Sequence, residues 1–190
     1  MAVPPQHPEF IEGIKKLRTA SLLYIIATLL LGIGLLVPYI FLPGLMRPLR
    51  GPPYPIGLLV GMLAVAAVGS ILGLIALFAY LVPAFSRLKS YDESSFGTPS
   101  KLVKLGFILG FILLILGAII FATILVGGGA VSVFGGLAVL VIGIIFLLIG
   151  LIGLIIGMFK LKDRTGESIF LAAGILFIIG IFISIVSFIA

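Results

Sequence analysis

Cysteine, tryptophan and asparagine are missing from this chain, and glutamine occurs once, at Gln6. Without cysteine no disulfide can form, and the redox compartment cannot be read from thiol usage. The shortage of Asn, Gln and Cys fits a heat-adapted source, where amides and thiols decompose, although an apolar membrane sequence is poor in amides as well. Charge is scarce too, at 9% of residues against 62% hydrophobic, with a mean hydropathy of +1.46. A soluble domain of 190 residues would need far more polar surface to cover its core. The composition therefore describes an all-α, polytopic transmembrane helix bundle. His7, the single histidine, stands in a proline-rich tail without neighbours for metal binding or catalysis, and reads as a solvated residue. There is no Walker loop, no dinucleotide fingerprint and no haem-type histidine pair. The expectation is a protein that is not an enzyme, with no catalytic residue, cofactor, metal or nucleic-acid partner.

What the chain has in abundance is glycine, 25 residues of it. The stretch Gly136–Phe159 carries glycine at 136, 143, 150 and 157, a spacing of seven that extends back to Gly129, and Gly153 adds to the stripe. A seven-residue repeat keeps its members on one slowly drifting helix face. In lipid, where helices gain nothing by leaving water, a face without side chains lets a second backbone come close. Gly57, Gly61, Gly69 and Gly73 form GxxxG pairs in another apolar run, and Gly106, Gly110 and Gly117 mark a third. All twelve are expected to be helix-packing positions.

Taken in order, the chain reads as a tail and short amphipathic helix over residues 1–20, then five spans within 21–190. The amphipathic stretch starts at Pro8, with Phe10, Ile14, Leu17 and Ser21 on one side and Glu9, Glu12, Lys15, Lys16 and Arg18 on much of the other. It either lies in the interface or runs straight into the first span. The spans are expected at about 21–42 (interrupted by Pro38), 56–83, 103–126, 136–159 and 169–190. A stiff proline-rich loop would fill 45–55, a charged loop 87–101, a glycine turn 127–135 and a second charged loop 160–167. Gly97-Thr98-Pro99 reads as a helix stop, an N-cap threonine and a proline at the first helical position.

Ten of the 12 Lys and Arg residues then fall on one side: Lys15, Lys16, Arg18, Arg87, Lys89, Lys101, Lys104, Lys160, Lys162 and Arg164. Only Arg47 and Arg50 fall on the other, which predicts a cytoplasmic N-terminus and an outside C-terminus. Those ten are topology determinants first and candidate lipid-headgroup contacts second, since Asp92, Glu93, Asp163 and Glu167 partly neutralise the same loops. A weak repeat pairs Leu88-Lys89 and Glu93-Ser94-Ser95-Phe96 with Leu161-Lys162 and Glu167-Ser168-Ile169-Phe170. Apart from Lys104 at the edge of the third, the spans hold no charged residue, and the polar side chains at depth are the hydroxyls of Thr28, Ser70, Thr123, Ser184 and Ser187. Each is expected to bond its own helix or a neighbour, with Ser70, beside Gly69, best placed for a helix contact.

Several of these segments together resemble a known family. Glu12-Gly13-Ile14-Lys15-Lys16-Leu17-Arg18, Pro83-Ala84-Phe85, Thr98-Pro99-Ser100-Lys101-Leu102 and the glycine-rich fourth span before Lys162-Asp163-Arg164 look like an archaeal membrane family catalogued as domain of unknown function 973. The resemblance covers nearly the whole chain. It implies a thermophilic archaeal source and a multi-pass location in the cell membrane, and carries no activity to transfer. From the residues themselves, the leading expectation is a structural or accessory subunit contacting membrane lipids and either its own copies or a larger complex. The alternative is an oligomeric channel or transporter component, lined by hydroxyls and by the carbonyl that Pro38 would free near Gly34. A lipid-acting enzyme is the weakest reading.

Overall fold

The structure, a computed structural model, describes the backbone of residues 7–45, 56–123, 127 and 129–189. Within these, side chains are described except at 35–59, 130–131, 177 and 180–189. The described residues form helices and no strand: α1 (Pro8–Leu45), α2 (Ile56–Ile75), a π-helical segment (Ala76–Leu81), α3 (Val82–Tyr91), α4 (Glu93–Ala122), α5 (Ala130–Thr165) and α6 (Ser168–Ile189). Apolar segments of this length leave the backbone no partner but itself, so it closes its hydrogen bonds as helix in spite of the glycine content.

Among the described residues, four helical stretches are long and apolar enough to cross a membrane: Pro8–Gly34, Val60–Tyr91, Glu93–Ala122 and Ser132–Thr165. The 22-residue α6 lies partly outside the described side chains. The chain divides into two compact units, one made of Glu12–Ala84 and the other of Met1–Ile11 with Phe85–Ala190.

Several expected boundaries move. Residues 8–20 run straight into the first apolar stretch as the opening turns of α1, the second of the two alternatives, and α1 stays helical through Pro38 and Pro43. Along its start Phe10 and Leu17 are buried, whereas Ile14 is half-buried and Ser21 exposed. The charged segment expected as a loop over 87–101 is almost all helix. Only Asp92 separates α3 from α4. Its backbone is extended (φ −145°, ψ 93°) and its carboxylate Oδ1 accepts from Ser95 N–H at 3.1 Å, so Asp92 caps α4 and Thr98 does not. Pro99 therefore sits inside the helix. Starting at Glu93 puts Phe96, Pro99 and Val103 on one fully buried face, a gain that the Thr98 start would forgo.

The π-helical segment has a local cause. Pro83 has no N–H, and its ring would press on the carbonyl one turn back. The chain widens ahead of it, and Val82 N–H reaches five residues back to the Leu77 carbonyl. At the other end of the chain, α5 runs longer than its expected span in both directions and stops at Gly166. There φ is +73°, and Gly166 N–H bonds the Lys162 carbonyl at 2.8 Å, a left-handed cap. The loop expected at 160–167 shrinks to Gly166 and Glu167. The proline-rich loop over 46–55 lies outside the described residues.

Candidate functional site

The principal feature of the larger unit is an antiparallel seam between α4 and α5, built where glycine removes the side chain from one helix or both. A Cβ placed on Gly106 would stand 2.2 Å from the backbone N of Gly150 and 2.7 Å from the Phe146 carbonyl. The two backbones are in direct contact there. On the α5 side, Gly136 faces Phe121, Gly143 faces Leu114 and Gly150 faces Phe107, so the seven-residue step on one helix meets the same step on the other. Gly153 abuts Leu102 and Val103, with an added Cβ at 2.6 Å from the Leu102 Cβ. Gly157 leaves room for the ring of Phe85, which an added Cβ would meet at 2.1 Å. From α4, Gly110 and Gly117 receive Leu147 and Leu140. Such contact maximises dispersion between surfaces that lipid would otherwise cover equally well.

In the smaller unit Gly69 lies against the α1 backbone, with an added Cβ 3.0 Å from the Ala27 carbonyl and from Leu31 N, while Gly73 has looser contact with Ala27 at 3.7 Å. At Gly61 nothing described lies within 4 Å of an added Cβ. The Gly57 side-chain position lies outside the described residues. Two close approaches escaped the sequence reading. An added Cβ would stand 2.8 Å from Ala66 at Gly34 and 3.2 Å from the Phe159 ring at Gly174. Each involves one glycine without a repeat partner at a period of four or seven, so periodicity gave no signal.

The α3–α4 junction and the end of α5 come together at one end of the larger unit. Arg164 ion-pairs with the Asp92 carboxylate and donates to Ser95 Oγ at 3.0 Å. Asp92 Oδ1 also accepts from Ser94 Oγ at 2.6 Å. The Ser94 hydroxyl chiefly, then the Ser95 donors and the Arg164 charge, hold the Asp92 pKa down to about 2 from 3.8, against the opposing effect of burial. Beneath this network Phe85, Leu88, Phe96 and Leu161 are fully buried. Leu88 and Leu161 are equivalent positions of the weak sequence repeat. His7 is exposed, its ring 5.5 Å from that of Tyr91, which also tilts against Phe10 at 5.0 Å.

An open groove of about 530 Å³ lies between α3 and α4. Ser86, Lys89 and Ser90 line it from α3, and Glu93, Ser100, Lys101 and Lys104 from α4. Read as two helices, Ser86/Lys89/Ser90 and Ser100/Lys101/Lys104 each share a face at helical spacing.

Of the other basic residues, Lys16 pairs with Glu12 at 3.0 Å, Lys89 with Glu93 at 3.1 Å and Lys162 with Asp163 at 3.6 Å. Lys15, Arg18 and Lys160 are exposed, and Arg87 lies on α3. Three of the membrane-depth hydroxyls bond their own helix: Thr28 to the Tyr24 carbonyl at 2.8 Å, Ser70 to Ala66 at 2.9 Å and Thr123 to Ile120 at 2.6 Å. Ser70 is exposed, and its bond to Ala66 lies within its own helix, one of the two outcomes expected of these hydroxyls. Ser184 and Ser187 have no described side chain. No group of three or more His, Asp or Glu that could hold a metal ion occurs among the described residues.

Together these features define a multi-helix protein with helices built to cross a membrane, closed by backbone-to-backbone seams and braced at one end by a polar network. Over residues 10–190 the chain matches the family model described as protein of unknown function DUF973, and it belongs to that family. No curated protein and no solved structure matches it.

Proposed function

We propose that this protein is an integral membrane protein of five spans that acts as a structural or accessory subunit through glycine-lined helix packing, without catalysis. The observation that carries the reading is the α4–α5 seam, in which Gly106 and Gly150 approach as closely as backbones allow. A helix pair so closed has no lumen along its contact, and its outward faces are Ile and Leu: Ile112, Ile115 and Ile119 on α4, Ile144, Ile145 and Ile152 on α5 are all exposed. Those faces suit lipid or the helices of another subunit. The proposed orientation has the N-terminus in the cytoplasm and the C-terminus outside. The Arg164–Asp92 pair supports it, since it brings the two basic helix junctions to one end of the unit, where the ten-to-two charge count requires them.

The test is isolation of the full chain from membranes that express it, in mild detergent, followed by mass measurement of the intact particle. A fixed stoichiometry, either of copies or with a second protein, supports the subunit reading. A lone monomer at every protein concentration refutes it.

A further inference from the structure

We infer that the groove between α3 and α4 binds one phosphate group, carried by an anionic lipid headgroup or by a soluble phosphoester; this goes beyond the subunit reading and does not depend on it. Three ammonium groups face the groove against one carboxylate, leaving two net positive charges. Lys89 is held by Glu93 at 3.1 Å, whereas Lys101 and Lys104 have no ion pair among the described residues. They are neighbours at i and i+3 on α4, and both are exposed.

Ser100 is the second, independent observation. It is only 5% exposed, lines the groove, and its hydroxyl makes no hydrogen bond among the described residues. No sealed-off side-chain oxygen lacks a partner among the described residues, so this hydroxyl opens onto the groove, where a ligand oxygen would accept from it. Serine hydroxyls interleaved with lysines offer many donors around one small volume. That suits the tetrahedral oxygens of phosphate better than the two of a carboxylate, and the net charge matches a dianionic phosphomonoester. Position agrees as well. Lys104 is the last charged residue before an uncharged run that ends at Phe159, so the groove opens where a span meets the headgroup layer.

The experiment uses the full chain in neutral maltoside micelles, where no anionic surface attracts ligands generally. Dioctanoyl phosphatidate and inorganic phosphate are titrated separately, with binding measured by calorimetry and the fold checked by circular dichroism. The variants are Lys101→Gln/Lys104→Gln, Ser100→Ala, and Lys15→Gln/Lys160→Gln, which removes the same charge elsewhere. The groove pair is expected to weaken binding about 30-fold, at about 1 kcal/mol per lysine converted to affinity. Ser100→Ala should weaken it about five-fold, and the control pair by less than about two-fold. Phosphatidate binding much tighter than phosphate identifies a lipid headgroup as the source, and equal affinities identify a soluble phosphoester; either supports the site. Equal losses from the groove pair and the control pair would overturn it, as would a wild-type chain that binds neither ligand at millimolar concentration.

Discussion

The seam makes a graded prediction from single methyl groups. Alanine at Gly106 would place its Cβ 2.2 Å from Gly150 N, 2.4 Å from Gly150 Cα and 2.7 Å from the Phe146 carbonyl, all of them backbone atoms. None can swing aside, so α4 and α5 must part locally by about 1 Å, a gap that forfeits a quarter to a half of each affected contact. Overpacking of this kind costs about 3 kcal/mol at the upper end of its usual range. Alanine's better helix propensity returns about 1 kcal/mol, leaving a net loss of about 2 kcal/mol. Alanine at Gly150 meets Phe107 N at 3.1 Å, the Phe107 ring at 3.2 Å and Gly106 C at 3.3 Å, which shifts of a few tenths of an ångström relieve. Its cost and its propensity gain nearly cancel, within about 1 kcal/mol. Gly32 has nothing within 4 Å, so alanine there should be neutral or slightly stabilising. Unfolding in mixed maltoside–dodecyl sulfate micelles, followed by far-ultraviolet circular dichroism, ranks the three. If Gly106→Ala unfolds at the same dodecyl sulfate fraction as Gly32→Ala, the backbones are not in contact and the account of the seam is wrong.

Further outcomes follow from the polar end and from the proposed topology. Asp92→Asn keeps a capping side chain but loses the charge that Arg164 meets. Because the Asp92 pKa is depressed from 3.8 to about 2, its ionic contribution is fully present above pH 3.8 and fades as pH falls through about 2. The variant should therefore be less stable by at most about 1 kcal/mol near neutrality and converge on wild type at the acid end; unfolding midpoints that differ by a constant amount across this range would exclude the mechanism. Phe85→Ala should cost about 3–5 kcal/mol, since the ring is fully buried, and a shift no larger than that of an exposed Phe134→Ala would contradict the packing. Because the chain has no cysteine, single cysteines at Ser94 and Ser132 can be labelled uniquely; opposite sides of sealed vesicles are expected, and labelling from one side refutes the five-span orientation. Liposomes holding the purified chain should keep proton and potassium gradients intact, whereas a leak abolished by changing Thr28 would favour an oligomeric channel.

The glycine repeat was legible because a period of seven survives in one dimension, and a helix in lipid has few other ways to specify a neighbour. Which helix would fill the groove was not legible, since Phe107, Leu114 and Phe121 look like any other apolar residues of α4. The charged junctions misled for a definite reason. Asp92 and Thr98 are both acceptable caps six residues apart, and Gly97-Pro99 resembles a stop and restart more than helix interior. The choice is made by tertiary burial of Phe96 and Pro99, which local propensity does not contain. That one misplacement hid the groove, because its serines and lysines share a face only when both flanks of Asp92 are helical. The Arg164–Asp92 pair spans 72 residues of sequence and left no local trace.

The two kinds of contact also divide along the helices according to solvent. Phe85, Leu88, Phe96, Val103 and Leu161, the bulky residues with no exposed surface, lie close in sequence to Lys89, Asp92, Lys101 and Lys162, at the end where water reaches the chain. There the hydrophobic effect operates, and burying large side chains under a polar network stabilises the fold as it does in a soluble protein. Further along α4 and α5, at Gly110 with Leu147 and Gly117 with Leu140, the apolar surfaces have no water to leave. Only closer packing than lipid can match favours association there, and glycine supplies it by letting backbones approach. The seam and the buried cluster meet at Gly157, where the Phe85 ring fills the space a side chain would take. A side chain at that position would set the two sources of stability against each other, because the ring cannot retreat without uncovering the cluster and α5 cannot retreat without opening the seam.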